Sequence, residues 1–596
     1  MSQSRQSARP LPLGPLLLLL GLAAGCGRSP VDPVDPAHPG DAAADRNASP
    51  GREDPLGEGV DRVVYPDQGW SPADSRRFYW TSQGSQIMPY DWFLALEQAD
   101  SEKPFRSQEN LLRYRYLPQK PDSSNPDGLP VGFVKDSGAK RDWFGFTCAA
   151  CHTGEVHYKK VAYRIDGGPS LADTTGFLTA LTAAIKATQD RPEKFDRFAA
   201  KVLGKADSAE ARSTLTSDLA VIAGRRKGYD SRNFPPGKPA GNGRIDAFGA
   251  IQNEVFHRAA KPDEPDDSTA SARPADAPVS IPFLWDTPQH DIVQWNGAAK
   301  NTPRVVGPLG RNVGEVLGVF GDFDIPEHPS ILGYRSSVQV DNLKRMEEWL
   351  TTLWSPQWPA EFPAIDAGKR DRGKVLYDQN CVKCHDLIDR KSPTRKVIAR
   401  MEPTGTDPLM AMNFDARRGR SGKLEGAFSR FLPLIPGSTK IGPEAAGAEL
   451  LGNAVIGTIV GSWREAPKDE LGQFEYRRGR STSADITEGP DLGPPYKGRP
   501  LNGIWATAPY LHNGSVPTLY DLLSPAEKRP EHFGVGSREF DTEKVGLKTT
   551  EAGFFTFRVR DEKGQLIPGN SNAGHAFGAK LNEGERLDLL EYLKSL

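Results

Sequence analysis

The chain has 596 residues, with 75 lysine and arginine residues against 77 aspartate and glutamate residues, and its net charge is −2. This balance excludes the strongly basic surface that nucleic-acid binding requires and gives no sign of an acidic partner. The length allows two or three domains with cores of their own, and 60 glycines and 51 prolines indicate long loops.

The first 26 residues have the pattern of a bacterial lipoprotein signal. Arg5 and Arg9 precede an apolar run over residues 11–22 that is short for a membrane span, and the sequence LAAGC ends at Cys26. We therefore expect export, lipidation of Cys26 and a membrane anchor at the periplasmic face or the cell surface, with the outer membrane preferred. An ordinary signal peptide cut near Ala24 is the alternative.

Residues 27–61 are rich in Pro, Asp, Ala, Gly and Arg and contain almost no large apolar side chains. This composition predicts a disordered tether between the anchor and a folded body that begins at residue 62.

Two copies of the pattern C-x-x-C-H follow, CAACH at 148–152 and CVKCH at 381–385. This is the attachment pattern of c-type haem, in which two thiols form thioethers to the haem and the histidine binds the iron. A zinc site would group its four ligands in close pairs, and a redox-active disulfide needs no histidine after it. The predicted attachment residues are Cys148, Cys151, Cys381 and Cys384, and the predicted iron ligands are His152 and His385.

Helical patterns surround both motifs. Residues 170–200 have apolar side chains at the spacing of one buried helix face, and MEEWLTTL at 346–353 is similar to LLEYLKSL at 589–596. Because a closing helix packs across the haem-bearing helix in c-type cytochromes, we predict a mainly α fold. It would consist of two tandem cytochrome c-type haem domains, 62–355 and 356–596, with long loop-rich insertions.

Further distinctive stretches are residues 148–154, 164–169, 285–290, 314–320, 501–515 and 571–575. Within them, APYLHNGS at 508–515 is more specific than C-x-x-C-H alone. Together they resemble the superfamily of di-haem cytochrome c peroxidases and MauG, and within it the branch of RoxA-type rubber oxygenases. The resemblance covers the body from about residue 61 to the end of the chain.

The resemblance implies two histidine ligands for the C-terminal haem, His575 opposite His385. A methionine, Met410 or Met412, is the alternative, and it would raise the reduction potential of that haem. The N-terminal haem, bound by His152, would be the reactive one. The resemblance also suggests calcium as a further cofactor, as in related peroxidases.

Candidate catalytic residues lie in two segments. His290, between Trp285 and Trp295, would line the reactive pocket or act as a displaceable ligand, with a structural histidine as the alternative. The tryptophans would relay electrons. Glu315 and Arg311 would supply the acid and the charge that cleavage of peroxide needs.

We therefore predict a haem-dependent oxidoreductase that activates peroxide or dioxygen at the N-terminal haem and relays electrons through the C-terminal haem. Its partners would be a small redox donor or acceptor, with no nucleic acid. The alternatives are an electron-transfer cytochrome with two six-coordinate haems and a polyisoprene-cleaving dioxygenase. Length favours an enzyme, because two bare cytochrome domains need far fewer than 596 residues.

Overall fold

The computed structural model of the protein describes residues 46–262, 275–301, 306–329, 332–390, 397, 399–431, 433, 437–463, 493–549 and 554–596. The predicted signal segment with Cys26, and residues 27–45 of the predicted tether, lie outside these ranges. Within them, no helix combines the length and the apolar character that crossing a membrane requires.

The helices begin at polar caps in several places. Ser71 caps the first helix and Asn582 the last, and in both cases the third helical residue, Asp74 or Glu585, completes a capping box. The described helices are α1 (Pro72–Trp80), α2 (Tyr90–Ala95), α3 (Gln108–Arg113), α4 (Thr174–Asp190), α5 (Pro192–Leu203), α6 (Ala209–Asn233), α7 (Ala247–Ala259), α8 (Val306–Gly318), α9 (Val340–Leu350), α10 (Ala367–Asn380), α11 (Leu409–Ala416), α12 (Gly447–Trp463), α13 (Leu519–Leu522) and α14 (Glu583–Lys594).

The strands are short and form small separate sheets. Two sheets have three strands, in the orders β1-β6-β5 and β2-β4-β3, and the others are pairs. The strands are β1 (Arg62–Val64), β2 (Met88–Pro89), β3 (Phe133–Ser137), β4 (Asp142–Phe146), β5 (Thr153–Tyr158), β6 (Val161–Asp166), β7 (Arg244–Ile245), β8 (Val279–Ser280), β9 (Ile292–Val293), β10 (Ala299–Lys300), β11 (Arg400–Glu402), β12 (Arg418–Arg420), β13 (Glu444–Ala446), β14 (Tyr496–Gly498), β15 (His532–Val535), β16 (Phe540–Asp541), β17 (Gly546–Leu547) and β18 (Phe555–Arg558).

The prediction of a mainly α fold is wrong. The protein is 38% helical and 16% strand, and the tandem haem domains are not shown. The physical reason is visible at the first motif, where segments rich in Val, Tyr and Phe pair as hairpins, β3 with β4 before the motif and β5 with β6 after it. The described residues from 46 onward belong to one compact unit by their contacts, and the domain boundary at residue 355 stays a prediction.

The second motif has the helix pair that the sequence analysis expected. α10 ends at Asn380 with Cys381 as its C-cap, and α14 packs across the helix, with the rings of Tyr377 and Tyr592 5.1 Å apart. A side chain at Gly373 would collide with the carbonyl oxygen of Asp588, so glycine allows the two helices to lie in contact. The two motifs therefore occupy different local structures.

Residues 46–61 pack against the body, although the sequence analysis assigned them to the tether. Ala48 is buried, and the Arg115 guanidinium pairs with Asp54 and Glu58 at 2.7 Å each. These three side chains are almost fully buried, and Glu58 also accepts from the backbone N–H of Arg538. Loss of either partner would leave a charge buried and unpaired, so this segment is part of the packed body and the folded part begins before residue 62.

Candidate functional site

The first motif forms a tight turn between two hairpins. Residues Cys148–Ala150 make one turn of 3₁₀ helix, and the Thr147 side chain caps this turn at the Ala149 N–H. Gly132, at φ +78°, lies against the turn, and a β-carbon there would lie 2.1 Å from the Ala150 nitrogen. Only glycine combines this backbone conformation with so close an approach.

His152 is fixed by a backbone carbonyl. Its Nδ1–H donates to the Pro282 carbonyl oxygen at 2.8 Å, and burial lowers the pKa of the imidazole to about 4. The ring is therefore neutral at neutral pH and leaves Nε2 as the nitrogen with a free lone pair. A histidine that binds a metal has this arrangement, because a hydrogen bond to the other ring nitrogen sets the tautomer.

His385 of the second motif repeats the arrangement with a different carbonyl. Its Nδ1–H donates to the Arg499 carbonyl oxygen at 2.6 Å, and burial lowers the pKa of the ring. The Tyr377 hydroxyl donates to the His385 carbonyl. Gly498 brings β14 to the motif, since a β-carbon there would lie 2.6 Å from the Cys384 carbonyl oxygen.

His575 lies next to His385, with their ring centroids 6.1 Å apart and the planes inclined by 53°. Its backbone is left-handed, at φ +49°, which is uncommon for a residue other than glycine. The His575 backbone N–H donates to the Thr404 carbonyl at 2.8 Å, and Arg529 donates to the Gly574 carbonyl at 2.9 Å. Burial, with a smaller contribution from His385, lowers the pKa of His575 to about 3.

The two methionines that the sequence analysis kept as alternatives lie on α11. Met410 is buried in a small apolar cluster with Ala277, Val279 and Tyr496, and Met412 is 55% exposed. Among the predicted ligands of the second motif, His575 is the one whose contact with His385 is direct.

Glu315, Arg311 and Gln294 form a polar group close to the first motif. Gln294 Nε2 donates to Glu315 Oε1 at 2.7 Å, and Arg311 donates to Glu347. Burial raises the pKa of Glu315 against the opposing effects of Arg311 and Gln294. Glu347, the partner of Arg311, directly follows Met346, whose Sδ lies 3.8 Å from Cys148 Sγ, so this polar group lies close to the first motif.

His290 is fully buried beside Lys497, whose Nζ lies 3.3 Å from His290 Nδ1. Burial, and next the charge of Lys497, lower the pKa of His290 well below its ordinary value. His290 Nε2 has no hydrogen-bond partner in the part of the chain that is described. The imidazole therefore presents one unsatisfied buried nitrogen.

The two predicted tryptophans lie in different surroundings. Trp285 is fully buried, stacks on Phe283 with centroids 4.4 Å apart, and donates its indole N–H to the Asn502 carbonyl at 3.0 Å. Trp295 is half-buried and donates to the Ser280 carbonyl at 3.0 Å. His512 is buried and stacks on Tyr496, with their ring centroids 3.9 Å apart.

Sequence reasoning missed the residues that fix the histidines. Pro282 and Arg499 act through carbonyl oxygens 130 and 114 positions away along the chain, which no local pattern reveals. Lys497 and Arg499 do carry a signal, because they directly precede the distinctive block at 501–515. Gln294 has none that we recognise.

The residues fit covalent haem. Each motif offers two partly buried thiols that form no disulfide, although Cys148 Sγ donates to Gln83 Oε1 at 3.1 Å, and a neutral imidazole whose Nε2 has no partner among the described residues. His575 adds a buried ring nitrogen, Nδ1, that lacks a partner among the described atoms. Across the described ranges, no three His, Cys, Asp or Glu side chains are grouped to hold a metal ion directly. Calcium stays a prediction.

Comparison with known proteins identifies the group to which the chain is related. Residues 495–534, which include Arg499 and Arg529, match the RoxA-like, cytochrome c-like family model. The uncharacterized protein y4iJ of Sinorhizobium fredii (strain NBRC 101917 / NGR234) is 32% identical over 603 residues, or 90% of this chain and 94% of that protein. The uncharacterized protein y4iM of the same strain is 27% identical over 316 residues, or 53% of this chain and 58% of that protein.

The matched domain implies haem c, and it is consistent with a haem-dependent oxidoreductase. The wider likeness to di-haem cytochrome c peroxidases stays a prediction. The chain thus belongs to the same family as y4iJ, and the match over 495–534 supports the RoxA-type cytochromes as that family.

Proposed function

We propose that this protein is an exported, lipid-anchored cytochrome with two haems c, which reduces peroxide at the first centre and passes electrons through the second. The first centre is defined by Cys148, Cys151 and His152. The second centre is defined by Cys381, Cys384, His385 and His575.

The observation that carries the proposal is the equivalent hydrogen bonding of His152 and His385. Both imidazoles donate Nδ1–H to a backbone carbonyl, at 2.8 and 2.6 Å, and both directly follow a pair of unpaired thiols. This arrangement supports iron binding through Nε2 at each motif. The opposing imidazole of His575 supports a six-coordinate second centre that exchanges electrons without binding substrate.

The polar group at the first motif supports peroxide as the substrate. Haem iron, when bound, supplies the coordination site and the redox chemistry for O–O cleavage. Reduction of hydrogen peroxide to water takes up two electrons from an external donor and two protons. Glu315, whose pKa is raised by burial, retains a proton at higher pH than an ordinary carboxyl and can transfer it to the departing oxygen.

The other residues of this group orient the acid. Gln294 donates to one oxygen of Glu315, which leaves the second oxygen to carry the proton. Arg311 contributes positive charge where negative charge develops on the cleaved oxygen. Its ion pair with Glu347 fixes the position of the guanidinium.

The second candidate is a RoxA-like oxygenase that cleaves an organic polymer, which the match over 495–534 favours. The charged side chains near Cys148 argue against it, because an apolar polymer requires a predominantly apolar pocket.

Low-temperature EPR of the oxidised protein, with and without cyanide, tests the proposal. We expect one high-spin ferric signal that becomes low-spin with cyanide and one low-spin signal that does not respond. Two low-spin signals that both ignore cyanide would leave an electron-transfer cytochrome. Dioxygen uptake with polyisoprene, without peroxide turnover, would favour the oxygenase.

A further inference from the structure

One short segment of the chain, residues 282–285, contacts the surroundings of both motifs. The Pro282 carbonyl accepts from His152, and the next carbonyl, that of Phe283, accepts from Arg499 Nη2 at 2.7 Å. Arg499 is also the residue whose own carbonyl accepts from His385 at 2.6 Å. Two consecutive carbonyls thus connect His152 to the residue that fixes His385.

Ring stacking strengthens this connection. The Arg499 guanidinium carbon lies 3.5 Å from the centroid of the Phe283 ring, and that ring stacks on Trp285. Arg499 and Phe283 are both at most 6% exposed, so water does not compete for these contacts. A guanidinium that stacks on a ring and donates to the carbonyl of the same residue leaves the peptide little freedom to rotate.

Trp285 provides a second connection, through Asn502, to the chain that follows the second motif. Trp285 donates to the Asn502 carbonyl, and the Asn502 side chain both donates to the Ile388 carbonyl and accepts from the Ile388 N–H, at 3.1 Å each. Ile388 is three residues after His385. The segment 282–285 is therefore attached at two points to the chain around the second motif.

We propose that Arg499 is a positioning residue for both centres, because its carbonyl orients His385 while its side chain orients the peptide that orients His152. This inference rests on the proposed haem binding. It adds that Arg499, whose carbonyl supports the ligand of the second centre, also determines how strongly His152 binds the metal of the first centre.

The expected consequence is electronic as well as structural. A hydrogen bond from Nδ1–H makes an imidazole a stronger donor to its metal, which favours the ferric state. When the Phe283 peptide is released, the neighbouring Pro282 carbonyl moves out of line with His152. The His152 ligand then weakens, and the reduction potential of the first centre rises.

The test uses the full-length holoprotein with Arg499→Met, which removes both side-chain contacts but keeps the carbonyl to His385. Arg499→Lys retains the positive charge but not the planar guanidinium, so it separates the loss of geometry from the loss of charge. Arg226→Met is the control, since Arg226 is a buried arginine on α6 that pairs with Asp230 on the same helix. For wild type and each variant, the haem content is measured first, followed by the reduction potential and the EPR signal of each centre.

We expect the potential of the first centre to rise in Arg499→Lys, which keeps the positive charge but loses the planar stacking geometry. The rise should be smaller in Arg499→Met, because loss of the buried charge lowers the potential and opposes it. The potential should stay unchanged in Arg226→Met, with the second centre unaffected throughout. A shift at the second centre alone, no shift at either, or an equal shift in Arg226→Met would overturn the inference. Wild-type protein without covalent haem would instead refute the proposed function, so the two failures are distinguishable.

Discussion

His385 and His575 face each other across 6.1 Å between ring centroids, although 190 residues separate them along the chain. Two imidazoles that bind one metal through nitrogens at about 2 Å each have centroids at about this separation. His575 also adopts left-handed backbone, which costs of order 1 kcal/mol or more and persists only where surrounding contacts fix it. Thr404 and Arg529 supply those contacts.

The first prediction follows from this pair. His575→Ala should convert the second centre from low-spin to high-spin, because one of its two strong-field ligands is lost, and added imidazole should restore the low-spin signal. EPR measures both states. Met410→Leu is the matched control, since it conserves volume in the apolar cluster around Met410 and should leave the signal unchanged. A high-spin second centre in Met410→Leu, together with an unchanged signal in His575→Ala, would establish methionine ligation.

The second prediction concerns the approach of β14 to the second motif. Gly498→Ala would place a β-carbon 2.6 Å from the Cys384 carbonyl oxygen, so the strand and the Arg499 carbonyl must move away from His385. We expect a loss of about 1–3 kcal/mol in the free energy of unfolding and less haem at the second motif.

Thermal unfolding and haem content per chain check this result. Gly224→Ala on α6 is the control, because nothing lies within 4 Å of the added carbon and the helix should gain about 0.5–1 kcal/mol. Full haem content in Gly498→Ala would show that β14 does not determine the geometry of His385.

The third prediction concerns proton supply. Glu315→Gln should slow the reaction with peroxide by about 10²–10⁴-fold while both haems remain bound, because an amide cannot transfer the proton. In the wild type the rate should fall as pH rises through the raised pKa of Glu315, and the variant should lack this fall. Stopped-flow kinetics across pH measures both. The exposed Glu444 on β13 provides a control, Glu444→Gln, which should behave as wild type.

The same shift has a consequence for stability. Since the pKa of Glu315 is higher in the folded than in the unfolded protein, its stabilising contribution is fully present below the unfolded pKa and is lost as pH rises through the folded pKa. Glu315→Gln should therefore raise the free energy of unfolding at neutral pH relative to wild type. An equal free energy of unfolding for Glu315→Gln and wild type at neutral pH would contradict the raised pKa of Glu315.

Much of the candidate site is readable in the sequence, but its support is not. C-x-x-C-H predicts six haem-binding residues, because covalent attachment would fix their spacing, and MEEWLTTL overlaps the end of the helix α9. The carbonyls of Pro282 and Arg499 have no side-chain signature, since any residue carries a carbonyl. Their positions follow only from tertiary structure.

The prediction of the fold class was wrong for a related reason. Helical periodicity is visible over a dozen residues or more, whereas strands such as β4 and β6 have five or six residues and compete with short apolar runs of other kinds. The first motif lies between such strands, so the prediction of a mainly α fold was wrong there. The helix α9 does reach this motif, since Met346 Sδ lies 3.8 Å from Cys148 Sγ. Composition alone also assigned residues 46–61 to the tether, whereas the acidic side chains of Asp54 and Glu58 in this segment pair with the buried Arg115.

That buried arginine gives the fourth prediction. Arg115→Met should reduce the free energy of unfolding by about 3–5 kcal/mol, because Asp54 and Glu58 would remain buried without their cation. Arg113→Met, two residues away, removes an exposed partner of Glu109 and should change stability little. Denaturant unfolding compares the two variants directly. Were residues 46–61 a loose tether, the two acids would be solvated and both substitutions would have equally small effects, so the difference between the variants measures how strongly this segment belongs to the folded body.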